Sequence, residues 1–205
     1  MLKLSANQRS LVAGLDEAGC GPLAGPVTAA CVVLTSQGKR IPLNDSKKLK
    51  SSEREELFER IIRNSFAYAV VSVGPRRIET LNIREAARRA LSLAAARVQR
   101  QLETQQLSSL RIHYLIDGIV PIDPIYSQET IIKGDEFIPA IQAASIVAKV
   151  SRDRLMERLE QYYPGYGFSI HKGYGTRLHC EQIRERGPSI VHRRTFTGVK
   201  EFISG

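Results

Sequence analysis

A long uncharged stretch, residues 18–34, sets the first limit on what this 205-residue chain can form. Glycine and proline crowd its first half, at Gly19, Gly21, Pro22, Gly25 and Pro26. These residues would leave backbone groups without partners in lipid, so the stretch is not a transmembrane helix. The apolar run that follows, 27–34, predicts a β-strand.

The other periodic segments predict an alternation of strands and helices. Further strand patterns cover 11–15, 66–73, 112–116 and the short 130–132. Helix patterns cover 78–102, 139–162 and 176–187, and Ser52 with Glu55 predicts the capping box of an earlier helix. Three early strands followed by alternating strands and helices favour an α/β layered domain with a mixed central sheet over a doubly wound one. Residues 163–175 predict a loop that leads to a small C-terminal helical element.

The composition is that of an ordinary globular protein with an excess of positive charge. Lys and Arg number 30 against 21 Asp and Glu, which gives a net charge of +9. Such a surplus favours nucleic acid as the partner, because Lys and Arg neutralise phosphates. A basic surface that serves only solubility explains the charge equally well. The three cysteines have no metal-ligand spacing and the N-terminus lacks the apolar core of a signal peptide, so we expect a cytoplasmic protein.

Acidic residues share one arrangement at three places, where an apolar strand leads into a carboxylate close to glycine. Asp16 and Glu17 follow the first strand, Asp117 follows the strand at 112–116, and Asp135 follows the last strand. Carboxylates at the ends of separate strands can converge at one edge of a sheet, where their repulsion is costly unless cations lie between them. Each acid alone is typical of a turn or a cap, whereas the set favours a cation site.

The ligand chemistry of such a site narrows the choice of metal. Oxygen ligands without a His or Cys cluster select Mg²⁺ or Mn²⁺ over Zn²⁺. Two such ions can hold the attacking and leaving oxygens of a phosphodiester, as in two-metal nucleases. The chain has no P-loop and no complete GxGxxG motif, which disfavours a P-loop NTPase and a dinucleotide-binding enzyme.

Three further positions are candidates for contact with nucleic acid. Lys47 lies in a polar segment, Arg193 lies in the basic cluster 192–194, and Tyr174 lies between two glycines that allow close approach to a sugar or base. Each is also compatible with an ordinary solvated surface. The chain has four histidines without metal-ligand spacing, for which we expect surface or structural roles: His113, His171, His179 and His192.

Several blocks of sequence occur in a characteristic order and spacing. They are GLDEAGCGPLAGPV (14–27), NDSKKL (44–49), LIDG (115–118), KGD (133–135), AASIVAKVSRD (143–153), YPGYGF (163–168), HKGYGT (171–176) and GPSIVHRRTF (187–196). As a set they resemble bacterial ribonuclease HII over nearly the whole chain, although no single block is specific. The resemblance implies a ribonuclease H-like α/β fold, with 1–162 as the catalytic domain and 163–205 as a C-terminal element that contributes to substrate binding.

The resemblance also implies roles for particular residues. The metal-site acids of the family fall on Asp16, Glu17, Asp117 and Asp135. The Gly-x-Gly turn, whose main chain reads a ribose 2′-hydroxyl, falls on Gly19, Cys20 and Gly21, and the tyrosine at the RNA–DNA junction falls on Tyr174. The family usually carries Arg where this chain has Cys20, which we expect to affect the level of activity and not the class of function. Ribonuclease HIII carries an extra N-terminal domain, for which the fifteen residues before Asp16 leave no room, so we expect the HII type.

The implied activity is hydrolysis of the phosphodiester on the 5′ side of a ribonucleotide, in an RNA–DNA hybrid or a DNA duplex, to give 3′-hydroxyl and 5′-phosphate ends. The expected cofactors are two Mg²⁺ or Mn²⁺ ions, and we expect a monomer with no membrane partner. Two other classes stay open. A nucleic-acid-binding protein without catalysis would be indifferent to Mg²⁺ beyond salt screening, and a junction resolvase would require branched DNA and no ribose.

Overall fold

A five-stranded mixed sheet lies between two layers of helices in the computed structural model, which describes residues 10–43, 49–105 and 111–203. The strands are β1 Ser10–Ala18, β2 Val27–Leu34, β3 Ser65–Val73, β4 Arg111–Asp117 and β5 Gln128–Ile131, in the spatial order β3-β2-β1-β4-β5. β2 is antiparallel to both of its neighbours, whereas β1, β4 and β5 are parallel. This arrangement confirms the predicted mixed sheet.

Six α-helices accompany the sheet in the described residues. They are α1 Ser51–Arg63, α2 Pro75–Leu81, α3 Ile83–Thr104, α4 Pro139–Tyr162, α5 Phe168–His171 and α6 Arg177–Arg186. The predicted bounds of α4 are confirmed, and α6 is capped by Thr176 and ends at Gly187, as its sequence indicates. None of these helices has the length and apolar character needed to cross a membrane.

Two local predictions about helices are wrong. The predicted helix 78–102 is broken at Asn82, which has a φ of 65° and caps α3 by accepting a hydrogen bond from the Glu85 N–H. Asparagine tolerates positive φ and is a strong N-cap, so it ends one helix and starts the next. The capping contact of α1 joins the Lys50 N–H to the Glu53 carboxylate at 2.7 Å, and Glu55 instead pairs with Arg154 on α4.

The sheet is buried on both faces, and β2 shows how the sequence achieves this. Alternate side chains of a strand point to opposite faces. On β2, Val27, Ala29, Cys31 and Val33 join the core beneath α3. Their neighbours Ala30, Val32 and Leu34 join the core beneath α1 and α4. An uncharged strand is what a central position between two helical layers requires.

Gly14 on β1 fixes how closely α4 approaches the sheet. A Cβ at Gly14 would lie 2.0 Å from the carbonyl oxygen of Ala140, in the first turn of α4. Only glycine permits this approach, which brings the helix beside the end of β1 that carries Asp16.

The C-terminal part, 163–203, packs onto the loop between β1 and β2. The Leu23 N–H donates to the Gly173 carbonyl, and the Arg193 N–H donates to the Leu23 carbonyl, each at 2.8 Å. The loop therefore belongs as much to the C-terminal element as to the sheet. The division into 1–162 and 163–205 stays a prediction.

Gly14→Ala should lower the free energy of unfolding by about 1–3 kcal/mol, the usual cost of overpacking a core, because the added methyl group meets the backbone of α4. Denaturant unfolding measures the change. Gly21→Ala is the matched control, since its Cβ would enter open space among the described residues. Equal stabilities of the two variants would contradict this account of helix docking.

Candidate active site

Three carboxylates meet at the carboxyl edge of the parallel strands. Asp16 lies near the end of β1, Asp117 is the last residue of β4, and Asp135 lies in the short turn after β5. The parallel register pairs Leu15 with Ile116, so the next residue of each strand carries its acid to the same level. One carboxylate oxygen from each acid lies within 4.8 Å of the other two. The predicted convergence of Asp16, Asp117 and Asp135 is thus present in the structure.

The strand boundary differs from the prediction in a way that matters for Glu17. β1 continues to Ala18, so Asp16 and Glu17 are strand residues and not residues of the following turn. Consecutive strand residues point to opposite faces. Asp16 is hydrogen-bonded by Ser145 of α4, whereas the Glu17 carboxylate accepts from the Cys20 thiol at 3.5 Å.

Glu17 lines a neighbouring cavity of about 310 Å³ between the turn after β1 and α3. Arg84 of α3 and Asp117 also line this cavity. In the described part of the chain the compact acid group has three members, and Glu17 lies beside it. Asp117 belongs to the acid group and also lines this cavity.

The acid group is electrostatically costly without a cation. Asp16 is only 6% exposed, and burial, with the charges of Glu17 and Asp117, raises the pKa of its carboxyl well above the usual value. The Ser145 hydrogen bond and the Glu17 N–H, which donates to Asp16 at 2.7 Å, oppose this rise of the pKa. Above the ordinary aspartate pKa, ionised Asp16 therefore lowers the stability of the metal-free fold.

The donor set fits a divalent cation. Three carboxylates supply hard oxygen ligands at close range, and no His or Cys belongs to the group among the described residues. Mg²⁺ and Mn²⁺ prefer such ligands, and either ion would relieve the repulsion around Asp16.

Arg193 organises the turn that follows β1. Its guanidinium donates to the carbonyls of Gly19 at 2.5 Å, Cys20 at 2.8 Å and Gly25 at 3.0 Å. The side chain is fully buried, and burial together with the nearby Arg152 lowers its pKa. This placement runs against the expected direct contact of Arg193 with phosphate, because its charge is directed into the loop. Lys47 lies outside the described residues.

Arg152 of α4 holds the other side of the same loop, and sequence reasoning missed it. Its guanidinium donates to the carbonyls of Ala24, Pro26 and Lys172 at 3.0–3.2 Å. The signal was available in the sequence, because Ser145, Lys149 and Arg152 recur at i, i+4 and i+7 in a segment, 143–152, that otherwise consists of alanine, valine and isoleucine with one further serine. Polar residues at that spacing share one helix face.

Tyr174 lies at the exposed rim of the loops that Arg193 and Arg152 bind. The residue is 45% exposed, and the Lys149 ammonium and the Arg152 guanidinium each lie 5.9 Å from its ring centroid. The preceding Gly173 has a φ of 84°, and a Cβ there would lie 2.6 Å from the Ala24 carbonyl oxygen. Glycine at position 173 thus lets residues 172–176, the tyrosine loop, approach the loop between β1 and β2.

Cys20, the middle residue of the turn, points away from this rim toward the core. It is half-buried against the apolar cluster beneath α3. Burial and the adjacent Glu17 carboxylate raise the pKa of its thiol to about 12. The side chain is therefore neutral at physiological pH and is not a nucleophile.

A largely buried carboxylate group at the carboxyl edge of a mixed sheet, on a basic chain, is the arrangement expected of a metal-dependent nuclease. The sequence matches the family model for ribonuclease HII over residues 13–199. The chain belongs to the ribonuclease HII family, and is a metal-dependent endoribonuclease that acts on RNA–DNA hybrids.

Individual relatives agree with this assignment. The chain is 47% identical over 196 residues to ribonuclease HII of Geotalea uraniireducens, covering 94% of this chain and 85% of the relative. It is 46% identical over 191 residues to ribonuclease HII of Coxiella burnetii, covering 93% and 90%. The crystal structure of ribonuclease H2 from Pyrococcus horikoshii OT3 superposes with a TM-score of 0.74 at 25% identity, covering 94% of this chain and 96% of that one. The fold and family implied by the sequence blocks are confirmed.

Asp16→Asn should raise the melting temperature in EDTA, because it removes the buried charge that opposes its neighbours. The same variant should lose most of the stabilisation that Mg²⁺ gives the parent, and its cleavage rate should fall by about 100-fold or more, as for removal of one preorganised charge from an active site. Thermal denaturation with and without Mg²⁺ measures the first two effects.

Asp123→Asn is the control, since this acid lies outside the group and its side chain accepts from the Ile125 N–H, which Asn can also do. Its melting temperature and Mg²⁺ response should match the parent. A destabilised Asp16→Asn protein with an intact Mg²⁺ response would remove Asp16 from the metal site.

Proposed function

We propose that this enzyme cleaves on the 5′ side of a ribonucleotide, including a single one embedded in a DNA duplex, and leaves 3′-hydroxyl and 5′-phosphate ends. The observation that carries the proposal is the position of the Gly19–Gly21 turn, which begins three residues after Asp16, directly beyond the end of β1. The turn that reads the sugar and the acids that act on the phosphate therefore keep a fixed relative position.

We assign Asp16, Asp117 and Asp135 as the ligands of divalent cations, Mg²⁺ or Mn²⁺, with Glu17 completing the set when two ions are bound. Such ions would activate water and stabilise the leaving 3′ oxygen. The carboxylates would hold the ions in the positions that this chemistry requires. Ser145 and the Glu17 N–H keep the Asp16 carboxylate oriented through their hydrogen bonds.

The turn is suited to reading a 2′-hydroxyl through its main chain. Because a trans peptide directs its C=O and N–H to opposite sides, the carbonyls that Arg193 holds inward set the N–H groups of Cys20 and Gly21 outward. Two outward N–H donors can bind one hydroxyl oxygen of a ribose. Arg193 is then a positioning residue for the reader, and this replaces the phosphate contact expected for it.

Tyr174 is assigned to the sugar that follows the ribonucleotide. Its exposed ring is the group that a nucleotide would meet there, because Lys149 pairs with Asp153 and Arg152 is fully buried. Stacking there would register the RNA–DNA junction while the acids act one phosphate away.

The test of the proposal uses three end-labelled duplexes of the same sequence: one with a single ribonucleotide, one RNA–DNA hybrid and one all-DNA. We expect Mg²⁺-dependent cleavage of the first two, with the first cut only on the 5′ side of its ribonucleotide, and none of the third. Cleavage of the all-DNA duplex, or a cut on the 3′ side of the ribonucleotide, would overturn the proposal.

Cys20→Arg and Gly21→Ala separate the two parts of the turn. An arginine at position 20 is long enough to extend into the cavity that Cys20 lines with Glu17 and Asp117, where it would add a cation near the acid group. An exposed ionic contact of ~0.4–1 kcal/mol with the substrate would lower KM about two- to five-fold without cleavage of all-DNA duplex. Gly21→Ala should instead lower kcat/KM on the single-ribonucleotide duplex, because its methyl group enters the open space beside the N–H groups. A fully active Gly21→Ala enzyme would remove the turn as the ribose reader.

A further inference from the structure

Three histidines that the proposed chemistry does not use form a buried cluster beneath Tyr174. His179 and His192 have no exposed surface and His171 is 8% exposed. The rings of His171 and His179 stack at 4.3 Å, and Phe168 packs against all three histidines. Burying imidazoles is costly unless their nitrogens are hydrogen-bonded, so each ring needs hydrogen-bond partners within the protein.

The hydrogen bonds of His192 and His179 determine where each ring carries its proton. The Ser189 N–H lies 2.9 Å from Nδ1 of His192, so this nitrogen is an acceptor and the proton of the neutral ring is on Nε2. Nε2 of His192 lies 3.1 Å from Nε2 of His179. His192 therefore donates, His179 accepts on Nε2, and the proton of His179 is on Nδ1.

The Nδ1–H of His179 meets the main chain of Tyr174. It lies 2.9 Å from the Tyr174 carbonyl oxygen, which also accepts from the Thr176 N–H at 2.8 Å. The bonds run in one direction, from the Ser189 N–H through His192 and His179 to the Tyr174 carbonyl. Every donor has an acceptor only if both rings are neutral.

The surroundings keep the rings neutral. Burial, with the charge of His171, lowers the pKa of His179 to about 4, and burial, with the charges of His179 and His171, lowers the pKa of His192 to about 4. The charged groups near the cluster, Glu160 and Lys172, act on His171 and oppose each other. Protonation of His179 would set two N–H groups face to face at 3.1 Å, and protonation of His192 would set its Nδ1–H against the Ser189 N–H at 2.9 Å.

We propose that the chain of hydrogen bonds from Ser189 through His192 and His179 positions Tyr174 and so sets how strictly the enzyme selects the RNA–DNA junction. The inference rests on the role proposed for Tyr174. His179 and His192 are positioning residues, since neither reaches the surface. This chain of hydrogen bonds, the histidine relay, also joins the tyrosine loop to the segment that carries Arg193. The residue that reads the junction and the turn that reads the ribose are therefore held in place by connected hydrogen bonds.

Two substitutions of His179 separate the bond to Tyr174 from the bond to His192. Asparagine can place an amide N–H near the position of Nδ1, whereas glutamine places its amide near Nε2. The measurement is the ratio of kcat/KM on the single-ribonucleotide duplex to kcat/KM on the long hybrid. We expect His179→Asn to keep the parent ratio, and His179→Gln to lower it about ten-fold, the loss expected from one stacking contact and the same loss as Tyr174→Ala.

A purely structural role of the cluster would lower both rates together and leave the ratio unchanged. If Tyr174→Ala lowers the ratio while the two His179 variants behave alike, the relay does not position Tyr174. If Tyr174→Ala keeps the parent ratio, the role proposed for Tyr174 itself is wrong. The two failures are therefore distinguishable.

The proton positions are testable in the parent enzyme, without any substitution. Long-range ¹H–¹⁵N correlation spectra at pH 7 should show His179 protonated on Nδ1 alone and His192 on Nε2 alone. A spectrum with His179 protonated on Nε2, or with either ring charged, would overturn the relay.

Discussion

The parallel pairing of β1 with β4 is the constraint on which the active edge of this protein depends. It sets the partly exposed Asp117 beside the buried Asp16, so that two like charges repel. Only a well-packed core on both faces of the sheet can hold the strands in this register against that repulsion. Gly14 contributes by letting α4 lie close to β1, and the helix then brings Ser145 to Asp16. The stability of the core thus maintains an arrangement that is unfavourable until a cation binds.

Two buried arginines determine the shape of a loop that has no regular secondary structure. Arg193 and Arg152 together bind six main-chain carbonyls in the loop between β1 and β2 and in the loop before Tyr174. Backbone carbonyls disperse the buried positive charge, and the charge in turn orders the carbonyls. Basic residues therefore do two kinds of work here. Those at the surface account for attraction to a polyanion, and these two shape the surface that recognises it.

Much of the fold could be predicted from the sequence because hydrophobic periodicity reports burial directly. The apolar run of β2 and the bounds of α4 follow from it, capping residues indicated the bounds of α6, and acids beside glycine at strand ends indicated the three grouped residues. The break at Asn82 was missed because the apolar pattern continues across it. The extension of β1 through Glu17 was missed because charged residues at a strand end look like a turn. Once the strand continues, its alternation explains why Glu17 points away from Asp16.

The role of Arg193 could not be predicted because charge alone does not tell a surface cation from a buried one. Its partners are main-chain carbonyls far away in sequence, and these leave no side-chain pattern. The four histidines illustrate the same limit, since the sequence predicted surface or structural roles for all four and could not show that three of them form one buried cluster.

The central claim is that the acid group acts through a divalent cation that contacts the scissile phosphate. Sulfur in place of one non-bridging oxygen of that phosphate tests it directly, because Mg²⁺ binds sulfur poorly and Mn²⁺ binds it better. The measurement is the cleavage rate of a single-ribonucleotide duplex, with each sulfur diastereomer, in Mg²⁺ and in Mn²⁺. We predict that one diastereomer is cleaved slowly in Mg²⁺ and that Mn²⁺ restores much of its rate relative to the oxygen substrate. Equal slowing of both diastereomers in both metals would contradict the claim.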